Sequence, residues 1–270
     1  MADAESSALA VFAAELRAQR ARLGWTQVVL GDKTGYSGSF ISDVERSERT
    51  PSLDLARACD REMALPGTFE RLHELTRRDA YPSWFYPVIP LETRADRITE
   101  WELRVVPGLL QTEDYARAVI RADKPQDSDE SVARAVTARI DRQALLTKDT
   151  PPMLWYILDE AILRRQVGGP AVMAAQLAKL ADLAAQPGVV IQILPFAARI
   201  HAGSNGPIMI FEFADAPATC YTECYGGGRI VETRDEVARL TTVINMVRAS
   251  ALPPGESAEL IQQIRSEIRT

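Results

Sequence analysis

Histidine and cysteine are scarce in this sequence, with 2 and 3 copies among 270 residues. Cysteines that are few and odd in number argue against a disulfide framework and suit a reducing compartment. An enzyme needs a convergent set of catalytic side chains, and the sequence offers none. We therefore predict no enzyme activity, no metal site and no cofactor.

Long apolar runs are also missing. No stretch approaches the length of a membrane span, and the first ten residues lack the basic region of a signal peptide. We expect a cytoplasmic protein without membrane contact. Because the chain has 270 residues with a hydrophobic fraction of 46%, it can form two domains, each with a buried core.

The sequence lacks the excess of positive charge that drives contact with phosphate, since its formal net charge is −6. Residues 9–49, which carry the motif described below, hold six basic and five acidic residues and are close to neutral. If this segment binds DNA, each copy binds weakly. Helix N-termini and dimerisation must then contribute to affinity.

Capping residues and apolar stripes predict five helices in residues 1–79. Thr26 and Ser37 are suited to cap the second and third helices, and Gly35 tolerates the positive φ of the turn between them. Ile41 and Val44 lie on the inner face of the third helix. The predicted helices cover residues 9–23, 27–34, 38–47, 51–63 and 68–78.

Two short helices joined by a glycine-containing turn, with further helices on both sides, form the plan of a helix-turn-helix. The segment 26–47 resembles the helix-turn-helix of the XRE or Cro/repressor class of DNA-binding proteins. The matching residues are Thr26-Gln27, Leu30, Gly35, Ser37, Ile41, Val44-Glu45 and Arg49-Thr50-Pro51.

This resemblance assigns roles to individual residues. It implies that Gln27 holds a phosphate and that Arg20 and Glu45 form an ion pair between the first and third helices. A carboxylate in the groove would be repelled by phosphate, which favours this scaffold role for Glu45. The outer face of the third helix is small and polar, as close approach to a major groove requires. The predicted DNA-binding residues are Gln27, Lys33, Ser37, Gly38, Ser39, Ser42, Asp43, Arg46 and Arg49. Among them the resemblance places Gly38, Ser39 and Asp43 at base edges.

Beyond the first domain, the sequence predicts a linker and an α+β domain. Residues 80–91 are rich in proline and aromatic residues and form the predicted linker. Residues 92–270 combine short β-rich runs with amphipathic helices, which predicts a small mixed sheet and makes the whole chain α+β. The predicted strands are 153–158, 189–194, 208–213, 219–225 and 229–231. The predicted helices are 92–101, 113–121, 132–146, 170–185, 234–249 and 257–268.

The second domain carries a signature of its own. Residues 106–112 (VPGLLQT) and residues 189–196 (VVIQILPF) resemble a group of actinobacterial regulators. These regulators join a helix-turn-helix to a C-terminal domain of undefined biochemical role. They include WhiJ-like and antitoxin-like proteins, commonly encoded beside a small partner protein. The resemblance implies DNA binding by the first domain and partner or ligand binding by the second, and it supplies no ligand.

Several residues allow both a functional and a structural interpretation. His73 stands beside charged residues on a predicted helix, which favours a solvated surface position. The loop around His201 favours a turn, and glycines 226–228 favour a hairpin over a phosphate-binding loop. The remaining candidates either line a pocket or pack in the core, and core packing is favoured. They are Trp155, Tyr156, Tyr221 and Tyr225.

Two functions follow from the sequence. In the first, the protein is a dimeric, sequence-specific regulator of transcription that binds double-stranded DNA and is modulated through its C-terminal domain. In the second, it is an antitoxin-like protein that mainly holds a small partner protein encoded nearby, and DNA binding serves autoregulation. The sequence alone does not choose between them.

Overall fold

The computed structural model describes residues 8–79, 81–198 and 201–268. The chain divides into two compact units, Met1–Ser83 and Trp84–Thr270. The division falls within residues 80–91, the predicted linker.

The first unit consists of helices around one apolar core. Phe12, Leu16, Leu30, Ile41 and Phe69 are fully buried in that core. In the part of this unit that the structure describes, the helices are α1 (Ala8–Arg22), α2 (Gln27–Thr34), α3 (Gly38–Glu45), α4 (Leu53–Glu62) and α5 (Thr68–Asp79). The predicted five-helix domain is confirmed.

The helix starts follow the capping residues that the sequence indicates. The backbone N–H of Val29 donates to the hydroxyl of Thr26, and that of Phe40 donates to the hydroxyl of Ser37. Gly35 ends α2 with a φ of 80°, in the left-handed region where glycine has no steric cost. These local signals explain why the boundaries of α2 and the start of α3 are predictable from the sequence.

A buried carboxylate joins α4 to the start of α5. The backbone N–H groups of Phe69 and Glu70 each donate to an oxygen of Asp60 at 2.9 Å. The first amides of a helix have no partner within the helix, so Asp60 acts as a cap supplied from another helix. Its spacing from α5 is too large for the usual capping pattern, and sequence reasoning missed it.

Replacing Asp60 with alanine is expected to lower the free energy of unfolding of the first unit by about 1–2 kcal/mol, because the N–H groups of Phe69 and Glu70 lose their acceptor. Denaturant titration of the full chain, followed by hydrogen exchange in α5, measures the loss. Asp32→Ala, which removes an exposed acid from α2, is the control. Equal stability of the two variants would show that the Asp60 cap contributes nothing.

The second unit is built on a mixed six-stranded sheet. The strands are β1 (Arg97–Glu102), β2 (Met153–Asp159), β3 (Val189–Leu194), β4 (Ile208–Glu212), β5 (Thr219–Cys224) and β6 (Gly227–Val231). Their order is β3-β2-β1-β4-β5-β6. The first three strands run parallel, and β4, β5 and β6 are antiparallel to their neighbours. The predicted α+β class with a mixed sheet is confirmed.

Helices cover both faces of this sheet. They are α6 (Val88–Arg94), α7 (Glu113–Asp123), α8 (Asp129–Asp141), α9 (Glu160–Arg164), α10 (Pro170–Ala184), α11 (Arg234–Ser250) and α12 (Pro254–Glu267). Along β1, Ile98 faces a core shared with Leu180 and Ile261, whereas Trp101 faces a core shared with Val247. The apolar stripes of α11 and α12 therefore pack against their own sheet, and Met246 stays exposed on α11.

Some of the sequence predictions are wrong. Residues 92–101 were predicted as one helix, but they contain the end of α6 and most of β1. Residues 98–102 of β1 are all buried, so the strand lacks the alternation of apolar and polar residues that identifies a half-buried strand. His73 was predicted to be solvated, but it lies buried on α5. Its charged sequence neighbours gave no sign of this, because burial depends on which face of α5 meets the core.

The prediction for the glycine-rich segment agrees with the structure. Glycines 226–228 belong to the hairpin between β5 and β6. Tyr156 and Tyr221 are buried in the core as predicted, but Tyr225, for which core packing was also favoured, is fully exposed at the hairpin, so that prediction is wrong. Among the helices of the described residues, none is both long enough and apolar enough to cross a membrane.

Candidate nucleic-acid interface

Close packing fixes the angle between α2 and α3. A Cβ atom added to Gly31 would lie 2.5 Å from the carbonyl oxygen of Tyr36, and one added to Gly38 would lie 3.0 Å from Cγ2 of Val28. Larger residues would force the two helices apart. Gly38, predicted as a DNA contact, therefore also has a packing role that its sequence position did not reveal.

Glu45 holds α1, α2 and α3 together. Its carboxylate accepts two hydrogen bonds from Arg20, at 2.5 and 2.9 Å, and a third from the side-chain amide of Gln27 at 2.8 Å. The Glu45 side chain is only 2% exposed. This bidentate ion pair agrees with the scaffold role predicted for Glu45. It also places Gln27 against Glu45, where one amide hydrogen is already committed.

The surroundings of Glu45 stabilise its charged form. Burial acts to raise the pKa of this carboxyl, but the hydrogen bonds from Arg20 and Gln27 and the charges of Arg20 and Arg17 outweigh burial. The pKa of Glu45 consequently lies below its usual range. The same hydrogen bond raises the pKa of Arg20. The pair is thus ionised at neutral pH.

The outer face of α3 presents polar side chains with internal partners. The guanidinium of Arg46 donates to Ser42 at 2.6 Å and to Asp43 at 2.6 Å, and it also donates to Glu48. These groups are at the surface, where ion pairs contribute about 0–1 kcal/mol each. Arg46 can therefore exchange these partners for a ligand at little cost.

The N-terminal end of α3 is open to solvent. Ser37 and Ser39 are exposed, and their hydroxyl oxygens lie 2.9 Å apart. Ser37 is already engaged as the cap of α3, whereas Ser39 stands in the first turn beside the free N–H groups of the helix. Helix N-termini attract phosphate because their amides and the helix dipole favour negative charge.

The side chains of Lys33 and Arg49 flank this surface, and the charged group of each lies over an aromatic ring. Nζ of Lys33 lies 4.8 Å from the centroid of the Trp25 ring, and Cζ of Arg49 lies 4.5 Å from that of Phe40. Both cations belong to exposed residues, so they combine a fixed position with access to solvent. Val28, on α2 nearby, exposes 61% of its surface. All nine predicted contact residues lie on α2, on α3 or in the segments directly before and after α3.

In the second unit, the signature 106–112 is held by buried amides. Gln176 accepts a hydrogen bond from the N–H of Thr112 and donates to the carbonyl of Leu110. Gln111 donates to the carbonyl of Val106, and Lys179 donates to the carbonyl of Gln111. The signature is therefore a loop fixed against α10, and these contacts give it a structural role.

A family model described as a helix-turn-helix domain matches residues 11–72. A model described as a domain of unknown function, DUF5753, matches residues 87–263, which is well over half of the chain. No curated protein and no solved structure matches significantly. Helix-turn-helix domains are DNA-binding modules, so the first match indicates a DNA-binding regulator. The predicted combination of a helix-turn-helix with a C-terminal domain of unknown function is confirmed.

Proposed function

Because the chain belongs to the DUF5753 family and carries a helix-turn-helix domain ahead of the DUF5753 domain, we propose that it is a sequence-specific regulator of transcription that places α3 in the major groove of double-stranded DNA. One observation carries this proposal: on its inner side α3 is tied to α1 through the Glu45–Arg20 ion pair, and on its outer face it exposes small polar side chains. In this role the protein is a binding protein and not an enzyme.

The proposed contacts fall into two groups. Ser39, Ser42, Asp43 and Arg46 face base edges, and the backbone of Gly38 allows close approach. An acid such as Asp43 accepts a hydrogen bond from cytosine once Arg46 releases it. Phosphates are held by the remaining side chains, with help from the amides at the start of α3. These side chains are Gln27, Lys33, Ser37 and Arg49.

The domain roles follow the same division. We assign DNA binding to residues 1–79, a linker to residues 80–91 and regulation to residues 92–270. A second candidate function is the antitoxin-like one, in which the C-terminal domain holds a small partner protein. It is favoured by exposed apolar side chains of the second unit that a partner would cover, among them Phe196, Tyr225 and Met246.

Selection of bound sequences from random double-stranded DNA with the full chain tests the proposed function. A sequence-specific regulator enriches one motif, protected in the major groove. If the protein binds as a symmetric pair, the motif has two inverted half-sites about 34 Å apart or a multiple of that distance. Enrichment of no motif at moderate salt would contradict specific DNA recognition and favour the partner-binding role.

We also predict that the full chain is a dimer when it binds this motif. One helix-turn-helix reaches few base pairs, and residues 9–49 have almost no net charge to add affinity. Light scattering of the free protein and of its DNA complex gives the stoichiometry. A single protomer on a saturated palindromic site would overturn the dimer.

A further inference from the structure

A carboxyl group lies at the centre of the β-sheet in the second unit. Glu100 on β1 is in register with Tyr156 on β2 and with Met209 on β4. All three side chains belong to the same face, because Tyr156 and Met209 share the core that includes Ile98, two residues before Glu100. Central strand positions normally carry apolar residues, so Glu100 needs an explanation.

The segments that cover this face add further polar groups. Oε2 of Glu92, on α6, lies 3.0 Å from Nε of Arg142, whose Cζ lies 4.6 Å from the centroid of the Phe85 ring. This pair is close, but the N–H does not point at the oxygen. Both oxygens of Glu92, Nε of Arg142 and the hydroxyl of Tyr156 are buried without a hydrogen bond. Glu92 and Tyr156 are at most 1% exposed.

Two nearby carboxylates in this region do have hydrogen-bond donors. Glu102 accepts hydrogen bonds from the backbone N–H groups of Leu103 and Arg104, and Glu223 accepts from Arg104 and from the hydroxyl of Tyr221. The contrast separates Glu92 and Tyr156 from an ordinary buried network. A buried polar group without a partner costs free energy, so such groups point to a missing one.

The electrostatics of the cluster are consistent with a missing cation. Burial raises the pKa of Glu100, and the neighbouring charges of Glu102 and Glu92 raise it further. Burial followed by the charges of Glu100 and Glu92 also raises the pKa of Tyr156. Around Tyr156 stand the two carboxyls of Glu92 and Glu100 with one guanidinium, from Arg142. If both carboxyls are ionised, this cluster carries one excess negative charge, which either a proton on Glu100 or a bound cation neutralises.

Solvent reaches the same place. Glu100 and Met209 each keep 7% of their surface accessible although they are paired neighbours inside the sheet, whereas Tyr156 on the other side of Glu100 keeps none. A small part of the Glu100 residue therefore remains accessible to solvent. Among the described residues, no group of three or more His, Cys, Asp or Glu side chains is arranged to hold a metal ion. An organic cation fits this combination of carboxyls, phenol and aromatic rings better than a metal ion does.

We propose that Glu92, Glu100 and Tyr156 bind the cationic group of a small organic amine between the sheet and α6. The ammonium donates hydrogen bonds to the carboxyl oxygens of Glu92 and Glu100 and to the hydroxyl oxygen of Tyr156. Phe85, whose ring lies against Arg142, is one of the residues that cover the cluster. This site gives a class of ligand to the proposed regulatory role of the C-terminal domain. The biological role of the site rests on that proposed function, whereas amine binding itself does not. Binding of an amine is measurable without DNA, so its failure is distinct from failure of DNA recognition.

The test is calorimetric titration of the full chain with amines of increasing size at neutral pH. The probes are methylammonium, n-propylammonium, putrescine and agmatine, and n-propanol and propionate are the uncharged and anionic controls. We expect saturable binding of at least one amine in or below the millimolar range, and no binding of the controls. Because Glu100 carries a raised pKa, binding should also release protons, measured in buffers of different ionisation enthalpy.

Three variants locate the site. Glu100→Gln keeps the shape of the side chain and should weaken the best amine by about tenfold or more, since a charged hydrogen-bond partner is lost. Tyr156→Phe should weaken it less, and Glu259→Gln, on the exposed face of α12, should not change it. Circular dichroism establishes that each variant is folded.

Either of two results overturns the proposal. One is the absence of saturable binding by every amine to the wild-type chain, which would leave a proton as the group that neutralises the cluster. The other is equal affinity of the wild-type chain and of folded Glu100→Gln, which would place any amine elsewhere. If Glu100→Gln does not fold, Tyr156→Phe and the proton release of the wild-type chain decide.

Discussion

Replacing Ser39 with glutamate is expected to abolish specific DNA binding while leaving the first unit folded. Ser39 is exposed in the first turn of α3, and its hydroxyl is hydrogen-bonded to that of Ser37. A carboxylate here suits the helix dipole, so the fold is preserved. In the groove, the same charge is repelled by phosphates and removes a contact to base edges. The combined loss is about a hundredfold or more in affinity, or about 3 kcal/mol.

Fluorescence anisotropy with the selected DNA motif measures this effect, and thermal melting establishes that the variant is folded. Ser266→Glu makes the same substitution at an exposed position of α12, in the second unit, and should bind as the wild-type chain does. If Ser39→Glu retains the wild-type affinity, α3 does not enter the groove by its N-terminal half.

The second large effect is expected for Glu45→Ala. This change removes the acceptor of three hydrogen bonds and leaves the guanidinium of Arg20, whose side chain is 16% exposed, without its partner. Breaking a buried pair by removing one member is strongly destabilising, because the other charge stays buried. We expect the first unit to lose about 3 kcal/mol of unfolding free energy at neutral pH.

The lowered pKa of Glu45 also predicts how the stability loss in Glu45→Ala depends on pH. Since the pKa of Glu45 is lower in the folded chain than in the unfolded one, its contribution is present above the unfolded value of about 4.3 and is lost as the pH falls through the folded value. The stability difference between wild type and Glu45→Ala should therefore shrink below about pH 4.

Hydrogen exchange of the amides in α1 and α3 reports on the first unit alone, which avoids mixing the unfolding of two units. Glu48→Ala, which removes an exposed partner of Arg46, is the control and should change stability by less than about 0.5 kcal/mol. Protection in Glu45→Ala equal to that of the wild-type chain would mean that the pair has no net stabilising effect.

The first unit was largely predictable because its signals are local. Caps such as Ser37 lie within three residues of the amides they bind, and Gly35 marks the turn directly. Glu45 illustrates a different route, since its pairing with Arg20 came from the resemblance and not from spacing. Asp60 had neither kind of signal, because it caps a helix that begins eight residues later in the chain.

The second unit was less predictable where long-range pairing decides. The strands β2, β3 and β4 showed apolar, β-branched runs, so their positions followed from the sequence. β1 contains Glu100 and Glu102 and was taken for a helix. The cluster around Glu100 could not be predicted from the sequence. The sheet register places Tyr156 next to Glu100, and the packing of α6 over the sheet brings in Glu92 with its neighbour Arg142.

The position of β1 inside the sheet has a consequence for synthesis on the ribosome. β1 leaves the exit tunnel early, but its antiparallel partner β4 follows more than a hundred residues later. At bacterial or eukaryotic rates of translation this interval is on the order of ten seconds. During this interval the edge of β1 that later pairs with β4 is open, and charged residues of the strand such as Glu100 and Glu102 oppose pairing with other chains. The helix-turn-helix, emerging first and needing no distant strand, folds before this interval ends.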